Sequence, residues 1–126
     1  WDAFHGSCVF DTPFRDVIRV VDALRMGTCG CGYGRLDLYF LSGRNDVVRT
    51  QTERWLEDVG DFVHYNGLVM RKAGDRRPDT EIKLEMMREL GFTPHDVLCI
   101  FDDRQCVVDM WRANGYRVMQ VAAWKE

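Results

Sequence analysis

Apolar residues recur along this chain in two rhythms, one spaced for helices and one gathered into short runs. Phe14, Val17, Ile18, Val21 and Leu24 fall three or four apart and put one apolar stripe on a helix. Thr12-Pro13 suits its start, because Thr caps and Pro fits the first helical position. Gly27 ends it. The Gly- and Cys-rich stretch 27–34 reads as an exposed loop, longer than a usual helix-to-strand connection. Leu36-Asp37-Leu38-Tyr39-Phe40-Leu41 predicts a largely buried strand that stops at Ser42-Gly43-Arg44. Asn45 caps a second helix, with Val48, Trp55, Leu56 and Val59 inward. Leu68-Val69-Met70 predicts a brief strand, followed by a polar loop over 71–79. A third helix over about 80–90 buries Ile82, Met86 and Leu90. The run 97–101 is the clearest buried strand, ending at Asp102-Asp103. A fourth helix carries Val107, Val108 and Trp111 and stops near Gly115, and 116–122 forms the last strand.

Alternating helices and strands imply an α/β fold, with a mostly parallel sheet covered by helices on both faces. The length, 126 residues, suits a single domain, and no repeat or linker interrupts it. The chain opens on a helix, whereas a doubly wound sheet normally opens on a strand, and it has no initiator Met. Both features lead us to expect a first strand upstream of Trp1, missing from a chain truncated at its N-terminus.

Composition changes this picture little. Hydrophobic residues make up 46% and charged residues 29%, ordinary for a globular domain. No apolar run approaches the roughly 18 residues needed to cross a bilayer, and the start has no signal-peptide pattern. The formal net charge of −3 excludes a whole-surface basic field for nucleic acid, though Arg71, Lys72, Arg76 and Arg77 form a local basic cluster. Five cysteines, an odd number, favour reduced thiols and a cytoplasmic setting. Cys29 and Cys31 form a C-x-C and, with Cys8, could supply three thiolates to zinc. The C-x-x-C pair of zinc sites is lacking, and plain loop cysteines are the better reading.

Ligands of open parallel sheets bind beyond the carboxyl ends of the strands. Three such ends carry chemistry here: Ser42-Gly43-Arg44, the basic loop leading to Lys83, and Asp102-Asp103. Each has a bland reading, as a turn, a solvated helix residue or a helix cap. Together they are coherent. Adjacent carboxylates repel and favour a bound cation, and hard oxygen ligands suit magnesium, which can bridge them to a phosphate. A Ser hydroxyl and the amides of a Gly turn donate to phosphoryl oxygens, and a Lys offsets charge between carboxylate and phosphate. Cys99 sits in an apolar run and reads as inert, and no nucleophile suggests itself.

Leu41-Ser42-Gly43-Arg44, Lys83 and Phe101-Asp102-Asp103-Arg104 resemble the second, third and fourth motifs of haloacid-dehalogenase phosphatases. The likeness is closest to the 3′-phosphatase domain of phage polynucleotide kinases. Gly74-Asp75-Arg76-Arg77-Pro78-Asp79 is similar to that family's loop into the third motif. The run Asp102 to Arg112 is similar to its signature around the fourth. The resemblance extends from about Pro13 to the C-terminus and is most specific in the C-terminal half. It implies a Rossmann-like three-layer sandwich and a magnesium-dependent phosphomonoesterase that works through an aspartyl-phosphate. It also implies roles. Ser42 binds the phosphoryl group, with Gly43 beside it. Lys83 supports the nucleophile and the phosphoenzyme. Asp102 and Asp103 form the metal side. Arg44 and Arg76 contact the substrate backbone or buttress their loop through ion pairs. The family's first motif, D-x-D-G-T, occurs nowhere in the 126 residues, and Asp2 and Asp11 do not substitute for it.

Three functions follow as expectations. The first is removal of a 3′-phosphate from a DNA or RNA end, with the nucleophile motif upstream, a kinase domain as a companion, and the chain by itself inactive. The second is a non-catalytic binding or scaffold protein of the same fold. The third is a phosphatase acting on a small nucleotide or sugar phosphate. Little room exists for a large cap over the site, which favours a polymer end. His5 reads as a surface residue.

Overall fold

The computed structural model describes residues 15–26, 36–59 and 65–124. His5, Thr12-Pro13, Phe14, the 27–34 stretch and Cys8, Cys29 and Cys31 lie outside these segments. The chain groups into two compact units, residues 1–74 and 75–126.

In the first unit, α1 spans Arg15–Met26. Ile18 and Val21 are buried, as the stripe predicts, but Leu24 and Val20 are exposed, so the inner face is narrower than the spacing alone suggests. Strand β1 spans Tyr39–Asn45 and pairs in parallel with β2, Gly67–Arg71. The predicted strand begins earlier than the observed one. The reason is local: the Leu38 N–H donates to the Asn66 side chain (2.8 Å) and its carbonyl accepts from the Asn66 N–H (2.7 Å). Pairing therefore starts at Tyr39 opposite Gly67 and runs regularly to Ser42 opposite Met70, beyond which the register shifts. Ser42-Gly43-Arg44 consequently lies inside the strand segment, at its irregular end, and not after it.

Asn45 caps the following turn, its side chain accepting from the Val47 N–H, as expected of that residue. The helix is composite: a 3-10 turn at Asp46–Val48, then α2 at Arg49–Arg54, then a π turn at Trp55–Val59. Thr52 donates back to the Val48 carbonyl (2.9 Å), a contact that bends helices. Val48, Thr52 and Leu56 are buried on its inner face. Arg49 donates across to the Leu68 carbonyl (2.8 Å), tying α2 to β2.

In the second unit, α3 spans Asp79–Glu89, β3 Ile100–Arg104, α4 Gln105–Ala113 and β4 Val118–Trp124. β3 and β4 are parallel and regular from Ile100 opposite Val118 to Asp102 opposite Gln120, with a register shift before Arg104 meets Trp124. The core is built from Ile82, Met86 and Met87 of α3 and from Val107, Val108 and Trp111 of α4, with Tyr116. Met87 takes the buried place expected of Leu90, which is half-buried. The Trp111 and Tyr116 rings meet edge to face, 5.3 Å between centroids.

The run 97–101, read as the clearest buried strand, is corrected in both extent and depth. Leu98 is exposed, and the strand opens only at Ile100, which is half-buried. Its partner sets that limit. The chain turns through Gly115 at φ 88°, and the first backbone group available to pair is the Arg117 carbonyl, which accepts from Ile100 at 2.9 Å. Each pair is a strand, a helix and a parallel strand, which bears out the α/β, Rossmann-like reading. Among the described residues, no helix is long and apolar enough to cross a membrane.

Candidate functional site

The carboxyl end of β1 carries the first group. Beyond Ser42 the strands stop pairing regularly, which frees Gly43 and Arg44 from the ladder. The Ser42 hydroxyl accepts the Arg44 N–H at 3.1 Å and folds the chain into a tight turn. The Gly43 carbonyl accepts from Arg71 Nε at 2.8 Å. Arg71 is buried, only 6% exposed, although the sequence places it at the head of a basic loop. It clamps the Ser42-Gly43-Arg44 turn from β2. Its neighbours Lys72 and Ala73 are exposed, and the Ala73 N–H donates to the Asp46 carboxylate (3.1 Å), tying the loop after β2 to the 3-10 turn that precedes α2.

The second group stands on α3 and β3. Lys83 Nζ donates to Asp102 Oδ2 at 3.0 Å, with the two side chains 14% and 9% exposed. Lys83 is therefore not a solvated helix residue. The other Asp102 oxygen accepts the Asp103 N–H (3.0 Å) and the Arg104 N–H (3.4 Å), which orients the carboxylate at the strand end. Asp103 is exposed. It is not a helix cap: the cap position of α4 is Arg104, and no side chain caps there. The bland readings of Lys83 and Asp103 thus both give way.

The loop into α3 is braced by Arg77, which pairs with Asp75 (2.8 Å) and with Glu85. The hydrogen bonds that Arg77 donates to these two carboxylates raise its guanidinium pKa well above the ordinary value. Buttressing therefore falls to Arg77, while Arg76 is exposed. Arg104 pairs with Asp79 at the start of α3. Arg71, Asp79 and Arg104 fall within stretches that the sequence marks, but the sequence assigns them no role of their own. For the last two a signal existed: Asp79 stands four residues before Lys83 and Arg104 two after Asp102, so each shares a face with a motif residue. For Arg71 we find no such signal.

Cys99 and Cys106 are both half-buried. Burial pushes the Cys99 thiol up, which keeps it protonated at neutral pH and a poor nucleophile. Among the described residues, no three His, Cys, Asp or Glu side chains cluster as a metal cage. Asp102 and Asp103 offer two adjacent hard-oxygen donors, one oriented and one open to solvent. That set fits magnesium, which commonly binds through one or two carboxylates and keeps several waters.

A family model of the polynucleotide kinase PNKP phosphatase domain matches residues 5–124. The chain belongs to this phosphatase-domain family. The resemblance read from the motifs, to haloacid-dehalogenase phosphatases of the polynucleotide kinase type, is borne out, and with it the assignment to phosphatases, a class of hydrolases. A putative bifunctional polynucleotide kinase/RNA ligase of Autographa californica nuclear polyhedrosis virus is 35% identical over 75 residues, covering 60% of this chain and 11% of that protein. Two solved structures of the Pnkp1/Rnl/Hen1 complex, one described as an RNA repair complex, contain similar chains. They are 30% and 32% identical, with TM-scores of 0.76 and 0.75, over 90% of this chain in both cases. This phosphatase domain spans 34% and 36% of those chains.

Proposed function

We propose that this domain is the phosphatase part of a polynucleotide end-processing protein, removing 3′-phosphates in a magnesium-dependent reaction through an aspartyl-phosphate. The observation that carries the reading is the Lys83–Asp102 pair at the end of β3, with Asp103 beside it. Ser42, Gly43 and Arg44 fall at a second strand end, which suits phosphoryl binding by a hydroxyl and turn amides. Asp102 and Asp103 would hold magnesium. When bound, the ion would offset negative charge on the phosphoryl group. Lys83 would place its ammonium against the oriented Asp102 carboxylate and lower the charge that an incoming phosphate meets. Arg76, exposed in the loop into α3, would contact the substrate backbone. The attacking aspartate of the family belongs to a D-x-D-G-T motif that these 126 residues do not contain, so the chain by itself is expected to be inactive.

RNA is favoured over DNA, because the structural relatives come from an RNA repair complex and the viral relative is named for kinase and RNA ligase activities. A kinase or ligase domain is the expected companion. The test uses the natural full-length protein on 3′-phosphorylated RNA and DNA oligonucleotides with magnesium. Phosphate release is expected, with RNA preferred. Lys83→Ala should lower the rate by about a hundredfold or more, the scale of losing one charge-stabilising group. Absence of release from every 3′-phosphorylated end would overturn the reading. Turnover confined to small sugar or nucleotide phosphates would replace its substrate.

A further inference from the structure

Lys83 has two carboxylates within its reach by geometry, and the fold gives it one. Asp79 and Lys83 are four residues apart on α3, the spacing at which an acid and a following Lys meet on a helix face. Left alone, Lys83 would share its ammonium with Asp79. It instead bonds Asp102 across to β3, at 3.0 Å. The difference is Arg104, whose Nη1 takes Asp79 Oδ2.

The spacing makes this exchange fit. Four residues of helix rise about 6.0 Å, and two residues of strand rise about 6.6 Å. Residues four apart on α3 therefore stand level with residues two apart on β3, and each set lies on one face. Two rungs result, Lys83 to Asp102 and Asp79 to Arg104, with opposite polarity. The cation is on the helix in the inner rung and on the strand in the outer one. Arg104 thus does two things to Lys83. It occupies the competing carboxylate, and it puts a like charge at the next strand position, so Lys83 cannot drift along β3.

We propose that Arg104 is a positioning residue: by engaging Asp79 it holds Lys83 on Asp102. This rests on the reading of Lys83 and Asp102 as working groups of the phosphatase. The outer pair is partly exposed, 36% and 19%, so it adds little to stability and its loss should be felt mainly in turnover.

The experiment compares Arg104→Gln, Arg104→Lys and Lys83→Ala in the natural full-length protein, measuring kcat and KM on a 3′-phosphorylated RNA. A crystal structure of Arg104→Gln accompanies the kinetics. Arg104→Gln is expected to lower kcat by about 10- to 100-fold, the cost of a misplaced group. KM should change less than about twofold, and the melting temperature by less than about 5 °C. In its structure Lys83 Nζ should have moved toward Asp79. Arg104→Lys should retain most of the parental kcat. Parental kcat in Arg104→Gln, or a lowered kcat with Lys83 still on Asp102, would overturn the proposal. So would a variant that no longer folds, because Arg104 would then serve the scaffold. Activity surviving in Lys83→Ala would instead sink the underlying reading of the site.

Discussion

Tyr39 and Gly67 face each other where the β1–β2 pair begins, and the absence of a side chain on Gly67 leaves room for the Tyr39 ring beside it. A Cβ built on Gly67 would stand 2.9 and 3.0 Å from two Tyr39 ring carbons, closer than such contacts occur. Gly67→Ala is therefore expected to destabilise the fold by about 1–3 kcal/mol through overpacking, read from urea unfolding, and Tyr39→Ala in the same chain should recover part of it. At this scale the sequence is informative where chemistry is unusual. Ser42, Asp102 and Asp103 stand out because they follow apolar runs at strand ends, and Lys83 because it follows the basic loop at the motif's spacing. Arg71 does not, since nothing in a basic stretch distinguishes the arginine that turns inward to a carbonyl from those that stay in water. Arg76 and Arg77 show the same ambiguity. Adjacent, alike in sequence and both exposed, they differ in that Arg77 is braced by two carboxylates.

Elements were legible in kind and order and less so at their edges. Each strand starts where a partner becomes available, and partners are set by turns that apolar spacing does not report. The turn before β3 illustrates this. The Asp96 carboxylate accepts the Thr93 N–H (2.8 Å) and hydroxyl (2.9 Å), while the Asp96 N–H returns to the Thr93 carbonyl (2.9 Å). The Thr93 N–H bond, then the hydroxyl bond, holds the Asp96 carboxyl below its ordinary value of 3.8. A carboxyl depressed in the folded state favours folding above its unfolded value and loses that contribution as pH falls through the folded one. The native protein should accordingly lose stability between about pH 4 and pH 2 faster than Asp96→Asn does. Thermal melts of both proteins from pH 6 to pH 2 test this. Equal slopes would mean that the turn bonds do not discriminate the charged form.

For the molecule as a whole, the family and the fold class could be read from motif spacing because a parallel fold gathers its chemistry at strand ends. The clamps and rungs that hold those residues could not, since they depend on how neighbouring elements face one another. The proposed activity depends on an ion that Asp102 and the solvent-exposed Asp103 would help to hold, so it should be readily lost and readily restored. Chelation with EDTA should abolish phosphate release and added magnesium should return it. Asp103→Asn should raise the magnesium concentration for half-maximal rate by about tenfold or more. Release undiminished by EDTA would remove magnesium from the scheme. The register shifts at the ends of both strand pairs carry a further consequence. Ser42 and Asp102 each end the regular register of their strand, and 43–44 and 103 are backbone that the ladder does not dictate before pairing resumes at Asn45 and Arg104. Sheet and turn are thereby uncoupled: a residue inserted or removed at 43–44 or at 103 re-aims the chemistry without unzipping the strands behind it. A scaffold divided in this way can take up new substrates by changing the length of a few turns, long before its core has to change.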